Sequence, residues 1–149
     1  MTYEPLSETH LPEIIEMYVA AFNAPPWNDK WTAETATKRL RQMMHCEGFM
    51  GLVCYKDKAP CGMILGNVEH YFDCTHFVIK EFCVRLDLRG FGIGAKLLHE
   101  FETRLKACGV GKIYLLTSRT EETERFYQKR GYESWNSMVM MGKSLQTAD

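Results

Sequence analysis

Hydrophobic residues in the first part of the chain recur with a helical period. The stripe from Leu11 to Phe22 predicts one amphipathic helix, and Thr32 can cap a second helix that runs to about Met44. The segment 23–31 between these helices contains two prolines, which exclude a helix there. Residues 3–6, before the first helix, fit a short strand.

The middle of the chain has the alternating and continuous apolar patterns of strands. Two strands are predicted at Phe49–Tyr55 and Cys61–Val68, around an Asp-Lys-Ala-Pro turn at 57–60. A third, Thr75–Val84, is rich in β-branched and aromatic residues and has apolar side chains on both faces, which is typical of an interior strand.

The last part of the chain returns to helical periodicity. A helix that begins near Ile93 is ended by Gly109, and a strand follows at Lys112–Thr117. Ser118 and Glu121 fit a capping box for a helix that continues through Arg130, where Gly131 stops it; a last strand is predicted at Trp135–Lys143. This order of elements predicts an α+β (mixed α/β) fold rather than a regular doubly wound sheet.

Composition narrows the class of protein. The 149 residues are 46% hydrophobic and 25% charged, which predicts a single soluble globular domain over residues 1–149. With 18 basic and 19 acidic residues, bulk charge gives no reason to expect a nucleic-acid partner. The longest apolar stretch, residues 49–55, is too short to span a membrane, and the first residues do not resemble a signal peptide.

Six cysteines stand in the chain without any C-x-x-C spacing. We therefore expect free, mostly buried thiols in a reducing compartment, and a cytoplasmic protein.

A glycine cluster after the Thr75–Val84 strand carries the clearest chemistry. Gly90, Gly92 and Gly94 open a helix directly after Arg89. Glycines let the backbone approach a phosphate closely, free N–H groups at the helix start point at it, and the arginine adds positive charge. A tight strand-to-helix turn without a ligand is the alternative. The cluster lacks the Gly-Lys-Ser/Thr ending of a P-loop, and no acidic residue follows the next strand as a dinucleotide fold requires.

Three segments together resemble one family. Residues 89–94, Arg-Gly-Phe-Gly-Ile-Gly, resemble the R/Q-x-x-G-x-G/A motif of the GNAT superfamily of acyl-CoA-dependent N-acetyltransferases. Residues 81–84, Glu-Phe-Cys-Val, resemble the end of that family's fourth strand, and residues 126–132 resemble its F-Y-x-x-x-G-F/Y segment. The order of elements over nearly the whole chain agrees.

The resemblance implies a fold and a cofactor. The fold would be a central, mostly antiparallel sheet with helices on both faces and a V-shaped split between strands 4 and 5. Acetyl-CoA would be the acetyl donor, its pantetheine arm lying in the split. The residues expected to bind it are Phe82, Cys83, Val84, Arg89, Gly90, Phe91, Gly92, Ile93, Gly94, Ala95 and Tyr127.

Two residues are candidates for proton transfer. Glu81 is the candidate general base, since an amine must lose a proton before it attacks a thioester. We expect Glu81 to share a strand face with Phe77, Ile79 and Cys83, where burial would raise its pKa; a structural salt bridge is the alternative. The resemblance implies that the Val84 N–H polarises the thioester carbonyl and that Tyr127 protonates the leaving thiolate. A tyrosine that only packs in the core is the alternative for Tyr127.

The acceptor side is predicted from residues between the first two helices. Trp27, Asp29 and Trp31, with Glu81, could hold a cationic amine by cation–π and ionic contacts; alternatively the tryptophans pack the loop onto the domain. The ligand-type residues His70, Asp73, Cys74 and His76 lack a standard metal spacing, so we expect a hairpin connection and no metal.

The sequence thus predicts an N-acetyltransferase that moves acetyl from acetyl-CoA to a primary amine by direct attack. The acceptor is expected to be a small molecule, with no nucleic-acid or membrane partner and a possible homodimer. A CoA-binding regulatory module without turnover, and a protein N-terminal or lysine acetyltransferase, are the alternatives.

Overall fold

The computed structural model describes residues 1–146. The chain divides into two compact units, residues 1–116 and 117–149. Within the described part, no helix combines the length and the apolar character needed to cross a membrane.

The first unit is built on one five-stranded sheet. Its strands are β1 (Thr2–Pro5), β2 (Phe49–Lys56), β3 (Ala59–His70), β4 (Thr75–Val84) and β5 (Val110–Leu115). They lie in the order β1-β2-β3-β4-β5, antiparallel except for the parallel pair β4 and β5. The mixed α+β fold is confirmed, and the predicted strand 75–84 has the predicted bounds.

Three α-helices belong to the first unit and one to the second: α1 (Leu11–Asn23), α2 (Ala33–Met44), α3 (Ile93–Ala107) and α4 (Glu121–Gln128). The predicted cap of α2 is confirmed, because the Thr32 side chain accepts a hydrogen bond from the Thr35 N–H. The chain leaves α3 through Gly109, whose φ of +87° favours glycine. Short 3₁₀ turns lie at Glu8–His10 and Leu86–Leu88.

Helices cover both faces of the sheet, as expected. On one face, α1 and α2 pack in a common core with sheet residues that include Met63, Leu65 and Cys83. On the other face lies α3, whose Phe101 ring meets the Phe77 ring edge-on at 5.2 Å.

A β-bulge in β4 changes the face of the sheet to which the following side chains point. Leu65 of β3 is opposite Glu81, but the next β3 residue, Gly66, is opposite Ile79, so Lys80 is an extra residue in β4. The extra residue inverts the alternation of side chains along the strand. Phe77 and Ile79 therefore face α3, whereas Glu81 and Cys83 face α1 and α2. The prediction that all four share one face is wrong, because the apolar pattern runs through the bulge without interruption.

The bulge also marks the point where β4 and β5 separate. Their pairing extends from the start of β4 only to Ile79, which is opposite Leu115. Residues 80–84 continue beyond the end of β5 and keep only β3 as a strand neighbour in the described part of the chain. The predicted split between strands 4 and 5 is confirmed.

In the second unit, the N-cap of α4 is Thr120, two residues after the predicted cap, Ser118. The Thr120 side chain accepts from the Thr123 N–H, while Ser118 contributes its carbonyl oxygen to the Thr123 hydroxyl. A hydroxyl two residues nearer the helix start replaces the expected Ser118 cap. The chain then passes through Gly131, which has a φ of +88°.

The predicted last strand, Trp135–Lys143, is wrong. Residues 132–146 contain no strand, and the side chains of Met138, Val139, Met140 and Met141 are exposed. Apolar β-formers favour a strand, but a strand also needs a neighbour for its backbone hydrogen bonds, which the local pattern cannot supply.

All six cysteines are free, as expected. Only Cys54, Cys61 and Cys83 are buried, so the expectation of mostly buried thiols holds for half of them.

Candidate active site

The glycine segment forms the start of α3. Gly90 and Gly92 have φ values of +86° and +79°, and open space surrounds the position where a Cβ would stand on each. Gly92 is the N-cap, and Ile93, Gly94 and Ala95 form the first turn, whose N–H groups have no partner within a helix. Exposed backbone N–H groups and the positive end of the helix dipole suit a negatively charged ligand.

The Arg89 side chain points away from this turn. Its guanidinium donates to the carbonyl oxygens of Ala21, at 3.1 Å, and Pro25, at 3.2 Å. The positive charge expected beside a bound phosphate is instead hydrogen-bonded at the end of α1. Arg89 therefore ties the glycine segment to the segment that follows α1.

The end of β4 presents backbone groups to the split. The Arg85 N–H donates to the Cys61 carbonyl oxygen of β3 at 2.9 Å. Because hydrogen-bonding directions alternate along an antiparallel strand, the N–H groups of Val84 and Phe82 point to the opposite side, beyond the end of β5. The geometry thus offers the predicted donor, the Val84 N–H, on the open side of β4.

Glu81 is buried, with 7% of its surface exposed, and is paired with a residue of α2. The Arg39 Nε donates to the Glu81 Oε1 at 2.5 Å. The buried Tyr18 side chain of α1 interacts electrostatically with both partners. Burial raises the pKa of Glu81, while Arg39 and Tyr18 oppose the rise. The raised pKa is as predicted, but the carboxylate is not isolated: it makes the salt bridge considered as the alternative.

Arg39 and Tyr18 were missed by sequence reasoning, although α2 carried a signal. Its inward stripe is formed by Ala36, Leu40 and Met43, all buried. Arg39 falls between Ala36 and Met43 in the same stripe, at the i+3 position from Ala36. A charged residue on the inward face of a helix needs a partner of opposite charge, and Glu81 is that partner.

Cys83 lies on the same face as Glu81 and is buried. Burial raises the pKa of its thiol. A thiol that resists ionisation is a poor nucleophile, which favours direct transfer to the acceptor over a covalent acetyl-cysteine.

The predicted acceptor residues lie partly against the domain. Trp31 packs edge-on against Tyr18, with ring centroids 5.5 Å apart, and its Nε1 donates to the Asp29 carboxylate at 3.0 Å. The Arg39 guanidinium lies 5.8 Å from the Trp31 ring. Trp27 is more exposed, and its ring is 5.8 Å from the Phe22 ring. The structure therefore brings Trp31 and Asp29 close to the Glu81 pair and leaves Trp27 at the rim.

Tyr127 lies in α4 of the second unit. Its ring meets the Tyr132 ring at 5.5 Å, and burial raises its pKa to about 12. A phenol with this pKa is fully protonated at neutral pH and can donate a proton. Its predicted role at the thiolate stays a prediction.

The cluster at the β3–β4 connection is satisfied by its own contacts. Ligand atoms of Asp73, Cys74 and His76 lie within 4.8 Å of one another. However, the Asp73 carboxylate accepts from the Lys112 ammonium at 2.5 Å and lies 3.2 Å from the His76 Nε2. Lys112 also lowers the pKa of Asp73 to about 2. A lysine ammonium on the central carboxylate competes with a cation, so this cluster is a polar link between β4 and β5.

The comparison with protein families decides the identity of the fold. The model of the acetyltransferase (GNAT) domain matches residues 13–142. The chain belongs to the GNAT acetyltransferase family. It is therefore an acyltransferase. No curated protein sequence shows significant similarity to the chain.

Solved structures agree on the fold. A transcriptional regulator from Bacillus halodurans superposes with a TM-score of 0.77 at 17% identity, covering 95% of this chain and 99% of its own. An aminoglycoside acetyltransferase from an uncultured soil metagenomic sample, in complex with sisomicin, gives 0.74 at 16%, covering 97% and 96%. An aminoglycoside 6'-N-acetyltransferase from Acinetobacter haemolyticus gives 0.74 at 15%, covering 98% and 100%. At these identities the similarity establishes the fold alone.

Proposed function

We propose that this GNAT protein is an N-acetyltransferase that moves acetyl from acetyl-CoA to a primary amine of a small molecule. The observation that carries the proposal is the combination of two features in the first unit. An open, glycine-lined helix start follows a strand whose pairing with β5 ends at Ile79. The first suits a pyrophosphate, and the second suits an extended arm with a thioester at its end.

The donor would lie along these two features. Backbone N–H groups from Gly90 to Ala95 would bind the pyrophosphate, since positive φ values turn two of these peptides outward. Backbone groups of Phe82, Cys83 and Val84 would pair with the pantetheine amides. We assign no anion contact to the Arg89 guanidinium, because its hydrogen bonds to the Ala21 and Pro25 carbonyl oxygens hold it at the end of α1.

The transfer itself would be a single attack. The amine nitrogen bonds to the thioester carbonyl carbon, and the carbon–sulfur bond then breaks. Glu81 takes the proton from the amine, directly or through water, and the Val84 N–H binds the negative carbonyl oxygen of the tetrahedral intermediate. On the resemblance to the family tyrosine, Tyr127 gives a proton to the thiolate of CoA. The products are an amide and CoA.

The acceptor would approach from the side of α1 and α2. Trp31, Asp29 and Glu81 supply an aromatic face and two carboxylates for a cationic amine, with Trp27 at the rim. The names of two structural neighbours, both aminoglycoside acetyltransferases, support a small polar amine as the first acceptor class to test.

The first experiment is thermal unfolding with acetyl-CoA, followed by acetylation assays on a panel of amines. A ligand at about 100 times its Kd stabilises the folded state by about 2.7 kcal/mol. A rise in Tm with acetyl-CoA but not with NAD or ATP, followed by thiol release with an amine, supports the proposal. Stabilisation without turnover of any amine would favour the regulatory module, and turnover only with peptides would favour a protein acetyltransferase. No stabilisation would overturn the cofactor assignment.

A further inference from the structure

The ion pair between Arg39 and Glu81 joins two elements that are far apart in the sequence. Arg39 lies on α2 and Glu81 on β4, directly after the bulge that turns its side chain toward the helices. The contact is short, 2.5 Å, and uses the Nε rather than a terminal nitrogen of the guanidinium. The exposure of the two side chains is unequal: 7% for Glu81 and 40% for Arg39.

This geometry holds the carboxylate in one orientation. The Nε donates to one oxygen, Oε1, and the guanidinium carbon lies 5.8 Å from the centroid of the Trp31 ring. The Tyr18 side chain, on the buried side, acts electrostatically on the same carboxylate and the same guanidinium. The Arg39 hydrogen bond thus orients the group that has to accept the proton, and Tyr18 and Trp31 are neighbours of this ion pair.

We propose that Arg39 is a positioning residue for the acetyl transfer, which holds the Glu81 carboxylate ionised and oriented toward the acceptor amine. The inference rests on the proposed function, because it gives Glu81 the role of the base. The acceptor amine need not contact Arg39, which acts through Glu81.

The charged and titratable groups around Glu81 determine in which direction its pKa changes when Arg39 is removed. Arg39 from α2 and Tyr18 from α1 favour the carboxylate, whereas burial, and the negative charge of Asp29 from the loop, favour the neutral acid. Cys83 is the titratable neighbour on the strand itself. Arg39 is the one positive charge in this set. Its removal therefore leaves a buried acid that ionises only at higher pH.

The test compares Arg39→Met with Arg39→Lys and with a matched control, Arg41→Met. Arg41 is an exposed arginine on the same helix. For Arg39→Met, the acid limb of the pH profile of kcat/KM is expected to move up by roughly one to three units. Arg39→Lys keeps the charge and should restore most of the wild-type profile, and Arg41→Met should not move it. An equal loss of activity at every pH, with the limb in place, would overturn the inference.

A second readout needs no turnover. The destabilisation by Arg39→Met should grow as pH rises through the raised pKa that Glu81 has in the wild type, because above it the wild-type carboxylate is ionised beside Arg39 and the variant has no such partner. In a Glu81→Gln background this growth should vanish, and its persistence there would contradict the coupling. Failure of the wild type to bind or use acetyl-CoA would instead overturn the proposed function, and this inference with it.

Discussion

The Arg89 guanidinium donates a 3.1 Å hydrogen bond to the carbonyl oxygen of Ala21, in the last turn of α1. A second bond reaches the Pro25 carbonyl oxygen in the following loop. The residue that precedes the glycine segment in sequence is thus anchored to the elements on the acceptor side. Arg89 connects the parts of the molecule to which we assign the two substrates.

This connection predicts how Arg89→Met will behave. Hydrogen bonds to a charged donor contribute about 1.5–3 kcal/mol when buried, and this exposed arginine should contribute about 1 kcal/mol to the free energy of unfolding. The substitution should raise KM for the acceptor more than Kd for acetyl-CoA. Chemical denaturation measures the loss of stability, steady-state kinetics measures KM for the acceptor, and isothermal titration measures Kd for acetyl-CoA. A larger loss of acetyl-CoA affinity than of acceptor affinity would return Arg89 to the predicted phosphate-binding role.

The glycine segment allows a matched pair of substitutions. Gly92 and Gly109 have φ values of +79° and +87°, and both positions are open, so alanine at either should cost about 1–2 kcal/mol through the backbone alone. Gly92 starts α3, whereas Gly109 follows its end. We expect Gly92→Ala to weaken acetyl-CoA binding and Gly109→Ala to leave it unchanged. Equal affinities in the two variants would exclude this loop as the pyrophosphate site.

Tyr127→Phe keeps the ring and removes the proton donor. Loss of a general acid lowers kcat by about 10²–10⁴-fold, and the KM values should change little. Tyr132→Phe, in the neighbouring ring, is the control and should retain activity. Because the pKa of Tyr127 is raised to about 12, its loss should also be equally severe across neutral and mildly alkaline pH. Full activity of Tyr127→Phe would leave the tyrosine with a packing role only.

Glu81→Gln should separate catalysis from stability. We expect kcat to fall by about 10²–10⁴-fold through loss of the base. The pKa of Glu81 is raised in the folded state, so its contribution to stability is full below pH 4.5 and is lost as pH rises through the raised pKa. The wild type should therefore lose stability relative to Glu81→Gln over that interval, which urea titrations at several pH values can measure. A relative gain in the wild type would mean that Arg39 and Tyr18 outweigh burial.

Motifs and periodicity predict the secondary structure of this protein better than they predict its side-chain contacts. The bounds of β4, the cap at Thr32 and the open glycines follow from local patterns, which act within a few residues. The destination of the Arg89 guanidinium does not, because its acceptors are 64 and 68 residues away in the sequence. The face of the sheet on which Glu81 lies is also not predictable from the local pattern. Simple alternation places it with Phe77 and Ile79, but the extra residue Lys80 reverses the alternation.

The bulge has a consequence for how this protein can vary. Along β4, Phe77 belongs to the layer that supports the helix carrying the glycine segment, while Cys83, six positions later, belongs to the layer of α1 and α2. One strand therefore contributes side chains to the layers on both faces of the sheet. Under the proposed function, substitutions in the α1–α2 layer would alter the acceptor side, while the Phe77–Phe101 contact would keep its place beneath the proposed donor site. The one extra residue of β4 thereby assigns its two ends to different sides of the sheet.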